Sequence, residues 1–299
     1  MSNQTLNSKI NDYIPLDKSW TMRMAILDLL DGQAERSLQI LKGEKFLSDD
    51  LVALKRVLGY WDNKNSIDVG ESGTLYRFLQ FISWKQELNK KFVKHGTLEN
   101  RDICNSSKIT GYPLEKLLKL DNGTSQWASA AVLCGNKESI KNPPFKLAIT
   151  YKAVKQWNEN KNWVVLRDQT IQNQALSFIN ILKNKPEFTP NHSEDYCFAM
   201  AFGFIAAEKG EKLWSSLKGH ESNRIVEMEK ALDEYKDKKA IASKDHRVVQ
   251  AIAMKGKTEG RDAKFKFPAA VNKTWPQFWS FLEKSSDIYV NIDQKRIFC

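Results

Sequence analysis

The chain has 299 residues, 41% hydrophobic and 11% aromatic, with only 14 glycines and 8 prolines, which excludes a disordered or fibrous protein and allows two domains or one elaborated domain. Its 46 Lys and Arg against 36 Asp and Glu give a formal charge of +10. That charge implies an acidic partner, but the two signs interleave in runs such as GEKFLSDD and EMEKALDEYKDKK, which argues against nucleic acid.

No stretch approaches the ~20 consecutive apolar residues of a membrane span, and the opening MSNQTLNSKINDYIP lacks the apolar core of a signal peptide, so the expected address is cytoplasmic. Cys104, Cys134, Cys197 and Cys299 are scattered, and His95, His192, His220 and His246 show no HxxxH or HxH spacing. Neither a disulfide framework nor a metal site is expected.

In chain order, the apolar periodicity predicts a helix from Lys18 to Asp31, then helices over 48–61, 72–84, 124–135, 193–210, 221–235 and 274–284. Between them lie strand-like runs: RSLQIL (36–41), NSIDVG (65–70), NKKFVKHG (89–96), NWVVLR (162–167), EKLWSSLKG (211–219) and DAKFKF (262–267). The alternation predicts an α/β chain built from a repeating unit of roughly 50 residues.

Several helix starts carry polar or cationic residues. Lys18, Ser19 and Arg23 open the first helix, where free backbone N–H groups favour an anion. The same residues also fit the solvent face of an ordinary amphipathic helix. In DVGESGTLYRFL a glycine turn places Gly73 and Thr74 before a helix carrying Arg77, and in DNGTSQWASAAVL the run Thr124, Ser125, Gln126 opens a small-residue helix. Both suit a phosphorylated or hydroxylated ligand, and both are also explained by capping. Asp195, and Glu221 with Arg224 one turn on, supply carboxylates that could divide base and acid work, though helix starts favour acids anyway. Arg247, beside His246, and Lys273 place further cations at helix entries. A cation there opposes the helix dipole, and a bound anion would remove the conflict.

Taken together and in order, these segments resemble the enolpyruvyl transferase family, on its shikimate branch, from Ile14 to Lys284. DKSWTMR is similar to the family's GSKSxxxR, LSDDLVALKRVLG to its SDD run, ESGTLYR to NAGTxxR, and LENR to the segment bearing its phosphoenolpyruvate Arg. GTSQWASA is similar to VSSQxxSA, SEDYCFA to PDxA, HESNRI to KESDRI, KDHR to DHR, and NKTWPQFW to KTyPxFw.

The resemblance implies a two-domain inside-out α/β barrel of six trimmed βαβαββ units. One domain would span 18–166, the other 1–17 plus 167–299, with the active site in the cleft between them. It also implies transfer of the enolpyruvyl group of phosphoenolpyruvate to the 5-hydroxyl of shikimate 3-phosphate with release of phosphate, in aromatic amino acid biosynthesis, by a monomer without cofactor or metal. Lys18 would contact both substrates, with Ser19 and Arg23 on the shikimate phosphate side. Gly73, Thr74, Arg101, Arg224, Arg247 and Lys273 would cradle phosphoenolpyruvate. Thr124, Ser125 and Gln126 would hold shikimate 3-phosphate, with Asn142 and His220 as further substrate contacts. Asp195 would be the general base and Glu221 the proton donor to the methylene carbon.

The chain departs from the family pattern at Glu71, where Asn is usual, at Asp17 in place of Gly, and at His220 in place of Lys. It is also far shorter. Enolpyruvyl transfer to another hydroxylated acceptor, or a non-catalytic metabolite- or RNA-binding role, are the alternative readings.

Overall fold

The computed structural model describes residues 10–135, 143–160, 164–218 and 223–294. The described residues are 62% helical, with two three-residue parallel strands and no closed barrel among them. The expected α/β barrel of βαβαββ units is therefore incorrect.

The reason lies in the spacing of buried residues and the room between helices. RSLQIL lies inside a helix, Ala34–Gly43, where Ser37, Leu38 and Leu41 form a helical stripe and not an alternating one. EKLWSSLKG forms the end of the helix Ala207–Leu213 and a single 3₁₀ turn, Ser215–Leu217. DAKFKF contributes one isolated parallel bridge, Ile241 to Phe265. Of NWVVLR, Val164 and Val165 are exposed and in no strand. Only residues 31–33 and 44–48 separate the first three helices, too little chain for sheet strands of ordinary length.

Two compact units divide the chain: residues 16–166, and residues 1–15 with 167–299. In the first, α1 (Lys18–Leu30) is buried without interruption from Trp20 to Leu29. A helix apolar on every side has to be enclosed, and α2 (Ala34–Gly43), α3 (Asp49–Tyr60), α6 (Gln126–Gly135) and α7 (Ala148–Asn160) all pack on it. Between α3 and α6 the chain runs through β1 (Ser66–Asp68), α4 (Gly73–Lys85), β2 (Lys91–Val93) and the short α5 (Leu114–Leu117). The strands pair in register Ser66 with Lys91, Ile67 with Phe92 and Asp68 with Val93. Helices α4 and α6 lie side by side, with Trp84 stacked on Trp127 at 5.8 Å between centroids. Met22, Ile26, Leu54, Phe78, Trp127 and Trp157 belong to one continuous core.

In the second unit α8 (Gln169–Leu182), α9 (Tyr196–Ala201), α10 (Ala207–Leu213), α11 (Arg224–Lys236) and α13 (Phe278–Gln294) accompany α12 (His246–Thr258). Helix α12 divides two cores. Val249, Ala253 and Met254 face a cluster with Phe178, Trp275, Phe278 and Phe281; Val248, Ala251 and Ile252 face Tyr196, Met228 and Leu217. Residues 13–15 are tied into this unit through their backbone carbonyls: Trp275 donates its indole N–H to the Tyr13 carbonyl at 2.6 Å, and Asp168 N to the Pro15 carbonyl at 2.9 Å.

Asp28, at the core end of α1, is fully buried and accepts from Arg36, from the Ser37 hydroxyl at 2.6 Å and from the Trp157 indole at 3.2 Å. Removing the carboxylate strands three donors of α2 and α7. Asp28→Ala is expected to lower the urea-unfolding free energy of this unit by about 3 kcal/mol, followed by tryptophan fluorescence. Lys42→Ala, which breaks the exposed pair with Glu35 at 3.6 Å, should change it by less than about 1 kcal/mol.

Candidate functional site

In residues 16–166, four helices are joined by a seam of polar side chains. Arg23, on the second turn of α1, is 5% exposed. Its guanidinium donates to the Thr150 hydroxyl of α7 at 2.8 Å, to the Ser19 carbonyl at 2.8 Å and to the Ser129 hydroxyl of α6 at 3.4 Å. One face is covered by the Phe78 ring of α4, 5.5 Å from its centroid. Among the described residues, no carboxylate is hydrogen-bonded to it.

Burial lowers the Arg23 pKa to about 10, with Asp17 opposing that shift. The group is still a cation at neutral pH. Because its folded value lies below the unfolded one, the native state is penalised at neutral pH by about 3 kcal/mol, and stability from this group rises only as pH climbs through 10 towards 12.5.

Three residues before Ser129, on the same face of α6, Gln126 donates to the Thr74 hydroxyl of α4 at 2.7 Å. Its carbonyl oxygen accepts from Arg77 at 2.7 Å. Arg77 is anchored in turn by Asp121 at 2.6 Å, a carboxylate that also accepts from the Trp127 indole at 2.8 Å and the Cys104 backbone at 2.9 Å. At Gly73 the backbone closely approaches two cations: an added Cβ would lie 3.0 Å from a nitrogen of Arg101 and 3.0 Å from one of Arg77. The expected residue Arg23 thus lies in one hydrogen-bonded group, and Thr74 and Gln126 lie in a second one turn away along α6, with Arg101 near Gly73. Ser129 and Thr150 belong to the first group without having been expected. Ser129 falls one turn after Gln126 in GTSQWASA, a spacing that could have flagged it; Thr150 carries no sequence signal.

The other expected residues of this unit fare differently. Ser19 contributes its carbonyl, and its side chain sits at an exposed position. Thr124 accepts from the Gln126 backbone N–H at 3.4 Å, the capping alternative. Lys18 is paired with Asp50 at 2.8 Å. Asp17 is the N-cap of α1, accepting from Trp20 N at 2.8 Å, so a carboxylate already serves the helix start expected to receive an external anion. Asn142 lies outside the described residues.

The second unit also gathers its expected residues into a network. Asp195 is 4% exposed and accepts from the Gln174 amide at 3.1 Å and from the backbone N–H groups of Asn191 at 3.0 Å and His192 at 3.3 Å. In this geometry the carboxylate shapes the turn ahead of α9. Arg224 pairs with Asp245 at 3.0 Å, and Asp245 caps α12 through Arg247 N at 2.9 Å. Arg247 pairs with Glu194 at 2.6 Å. Burial works against the charge of Arg247, but Glu194 and Asp245 outweigh it and its pKa is raised. Each cation at the start of α11 and α12 therefore has an internal carboxylate. Glu221 and His220 lie outside the described residues.

His246 is 4% exposed and its Nε2 lies 2.6 Å from an Arg247 nitrogen. A guanidinium only donates, so Nε2 accepts and the ring proton is on Nδ1. Burial, then the Arg247 charge, holds the His246 pKa well below 6.5, against the opposing pull of Asp245; Lys273 and Arg224 add to the depression.

Among the described residues no group of three or more His, Cys, Asp or Glu is arranged to hold a metal ion, and no helix is long and apolar enough to cross a membrane. The Cys197 thiol is pushed up by burial, which leaves it unreactive. No protein-family model, curated protein or solved structure matches the chain.

The depressed His246 pKa fixes a sign. The unfolded histidine takes up a proton as pH falls through about 6.5 while the folded one does not, so acidification withdraws stability. The thermal midpoint is expected to fall between pH 7.5 and 5.5, and His246→Gln to flatten that fall; equal slopes for the two proteins would remove the assignment.

Proposed function

We propose that the seam of residues 16–166 binds a phosphorylated, hydroxylated small molecule. The observation that carries this reading is Arg23: a buried cation met by hydroxyls and a carbonyl. An anion bound at the seam would offset the unfavourable charge burial. Ser129, Thr150, Thr74 and Gln126 supply neutral groups that suit the hydroxyls of such a ligand. Arg77 and Arg101, whose guanidinium nitrogens closely approach Gly73, supply cations at the other end.

A second reading assigns a reaction. The ordered motifs are similar to those of enolpyruvyl transferases, and the members Arg23, Thr74 and Gln126 lie on three neighbouring helices of one unit, α1, α4 and α6. On that reading the protein transfers the enolpyruvyl group of phosphoenolpyruvate to the 5-hydroxyl of shikimate 3-phosphate. The attacking hydroxyl would lose its proton to Asp195, and Glu221 would protonate the methylene carbon. The resulting tetrahedral adduct would break its C–O bond to phosphate and lose a methyl proton, restoring the enol. Arg224, Arg247 and Lys273 would stabilise charge gathering on the leaving phosphate. For Asp195 to act, its carboxylate has to come within ~3 Å of that hydroxyl, giving up the turn it now caps.

The experiment is incubation of the full chain with both substrates, following phosphate release alongside calorimetric binding of shikimate 3-phosphate. Binding with phosphate release supports transfer, and Glu221→Gln should then slow turnover at least ~100-fold. Binding without release leaves a metabolite-binding protein. Absence of binding by either substrate overturns both readings.

A further inference from the structure

Among the described residues β1 and β2 form a sheet of two strands, so each has an edge that pairs with no other strand. On β2 the inward bonds belong to alternate residues. Lys91 N donates to the Asn65 carbonyl at 2.7 Å, the Val93 carbonyl accepts from Val69 N at 3.0 Å, and His95 N donates to the Gly70 carbonyl at 3.0 Å. Parallel pairing in this register turns the N–H and C=O of Phe92 to the outer edge. Among the described residues neither group has a hydrogen-bond partner. Lys91 and Val93 are exposed, Val93 by 42%, while the half-buried Phe92 ring sits T-shaped against Tyr76 at 6.2 Å.

Cations flank this edge. The strand and its neighbours read Lys90, Lys91, Phe92, Val93, Lys94, and Lys64 is held beside the start because Lys90 Nζ donates to the Lys64 carbonyl at 3.0 Å and to the Trp61 carbonyl. Among the described residues none of these four lysines is paired with a carboxylate. Asp68, the carboxylate of the sheet, is engaged by Arg56 and His95. Edge lysines oppose pairing with a second copy, because each copy would meet its own charge. A strand that brings carboxylates meets no such repulsion. Nucleic acid fits less well, since Tyr60, Trp61 and Tyr76, the rings on which bases could stack, carry Lys64, Lys90 and Lys94 over one face at 3.8, 4.9 and 5.3 Å.

We propose that the outer edge of β2 is a docking site for an extended acidic peptide, which adds a third strand to the sheet. The segment that fits has β-branched residues opposite Phe92 and Val93, with carboxylates on either side of them opposite Lys90, Lys91 and Lys94. Main-chain bonds to Phe92 set the alignment, and the lysines select the charge. This surface shares no residue with the seam, so its test is independent of ligand binding there.

The test uses the full chain at low salt and a dye-labelled peptide, Glu-Glu-Val-Val-Glu-Glu, followed by fluorescence anisotropy. Two relatives accompany it: one with Gln for every Glu, and one N-methylated at both valines, which keeps the charge but loses the central donors. The acidic peptide is expected to bind, and either change to it, or the double variant Lys91→Gln with Lys94→Gln, to weaken binding by about 10-fold or more. Amide hydrogen exchange over residues 91–94 should slow in the complex. Equal binding of the N-methylated peptide would overturn strand addition, as would no binding of the acidic one. Tighter binding of an oligouridylate of the same charge, lost in the same double variant, would assign the surface to nucleic acid and overturn the proposal as well.

Discussion

The buried guanidinium of Arg23 is the constraint on which the unit of residues 16–166 turns. Its position fixes what surrounds it: α1 has to be enclosed, α6 and α7 have to bring Ser129 and Thr150 to it, and Phe78 of α4 has to close over its face. The two hydroxyls also bond each other at 2.9 Å, so the arrangement does not depend on the cation for their satisfaction. A buried charge with neutral partners is costly in a native state whose net stability is small. On the proposed function, a ligand whose charge adds to the distant pull of Asp17 would account for such a group in a packed core.

Elsewhere the protein neutralises its cations from within. Asp50 answers Lys18, Asp121 answers Arg77, Asp245 answers Arg224, and Glu194 answers Arg247. Asp17, Asp168 and Asp245 serve as N-caps as well. The conflict between helix dipoles and cations at helix starts is thus resolved by side chains of the chain itself. Arg23 stands apart from this pattern, hydrogen-bonded to two hydroxyls and a carbonyl.

Local features were legible in the sequence where one element carries the signal. The long, mostly apolar run of KSWTMRMAILDLL marks α1, and the glycine turn of ESGT marks the start of α4. Strands were over-read because short β-branched or aromatic runs do not reveal whether a partner strand exists; that is a long-range property. NSIDVG and NKKFVKHG found each other as β1 and β2, whereas RSLQIL was taken into a helix by its own neighbours. The described motif segments sit mostly at helix starts and turns, which need no sheet, so their order could suggest a barrel that the described residues do not form. Arg23, Thr74 and Gln126 were readable as polar residues at helix starts. Thr150 was not, since only packing of α7 against α1 brings it to the seam. Asp17, without a role in the sequence reading, is the cap that holds α1 in place.

The central claim is that Arg23 is a buried charge awaiting an anion, and paired thermal melts of wild type and Arg23→Met, with and without shikimate 3-phosphate, test it most directly. Methionine fills similar volume without charge, so the variant should melt no lower than wild type in the absence of ligand. Ligand should then raise the midpoint of wild type and leave that of Arg23→Met unchanged. A variant that melts well below wild type, or that is stabilised by the ligand as much as wild type is, would contradict the account.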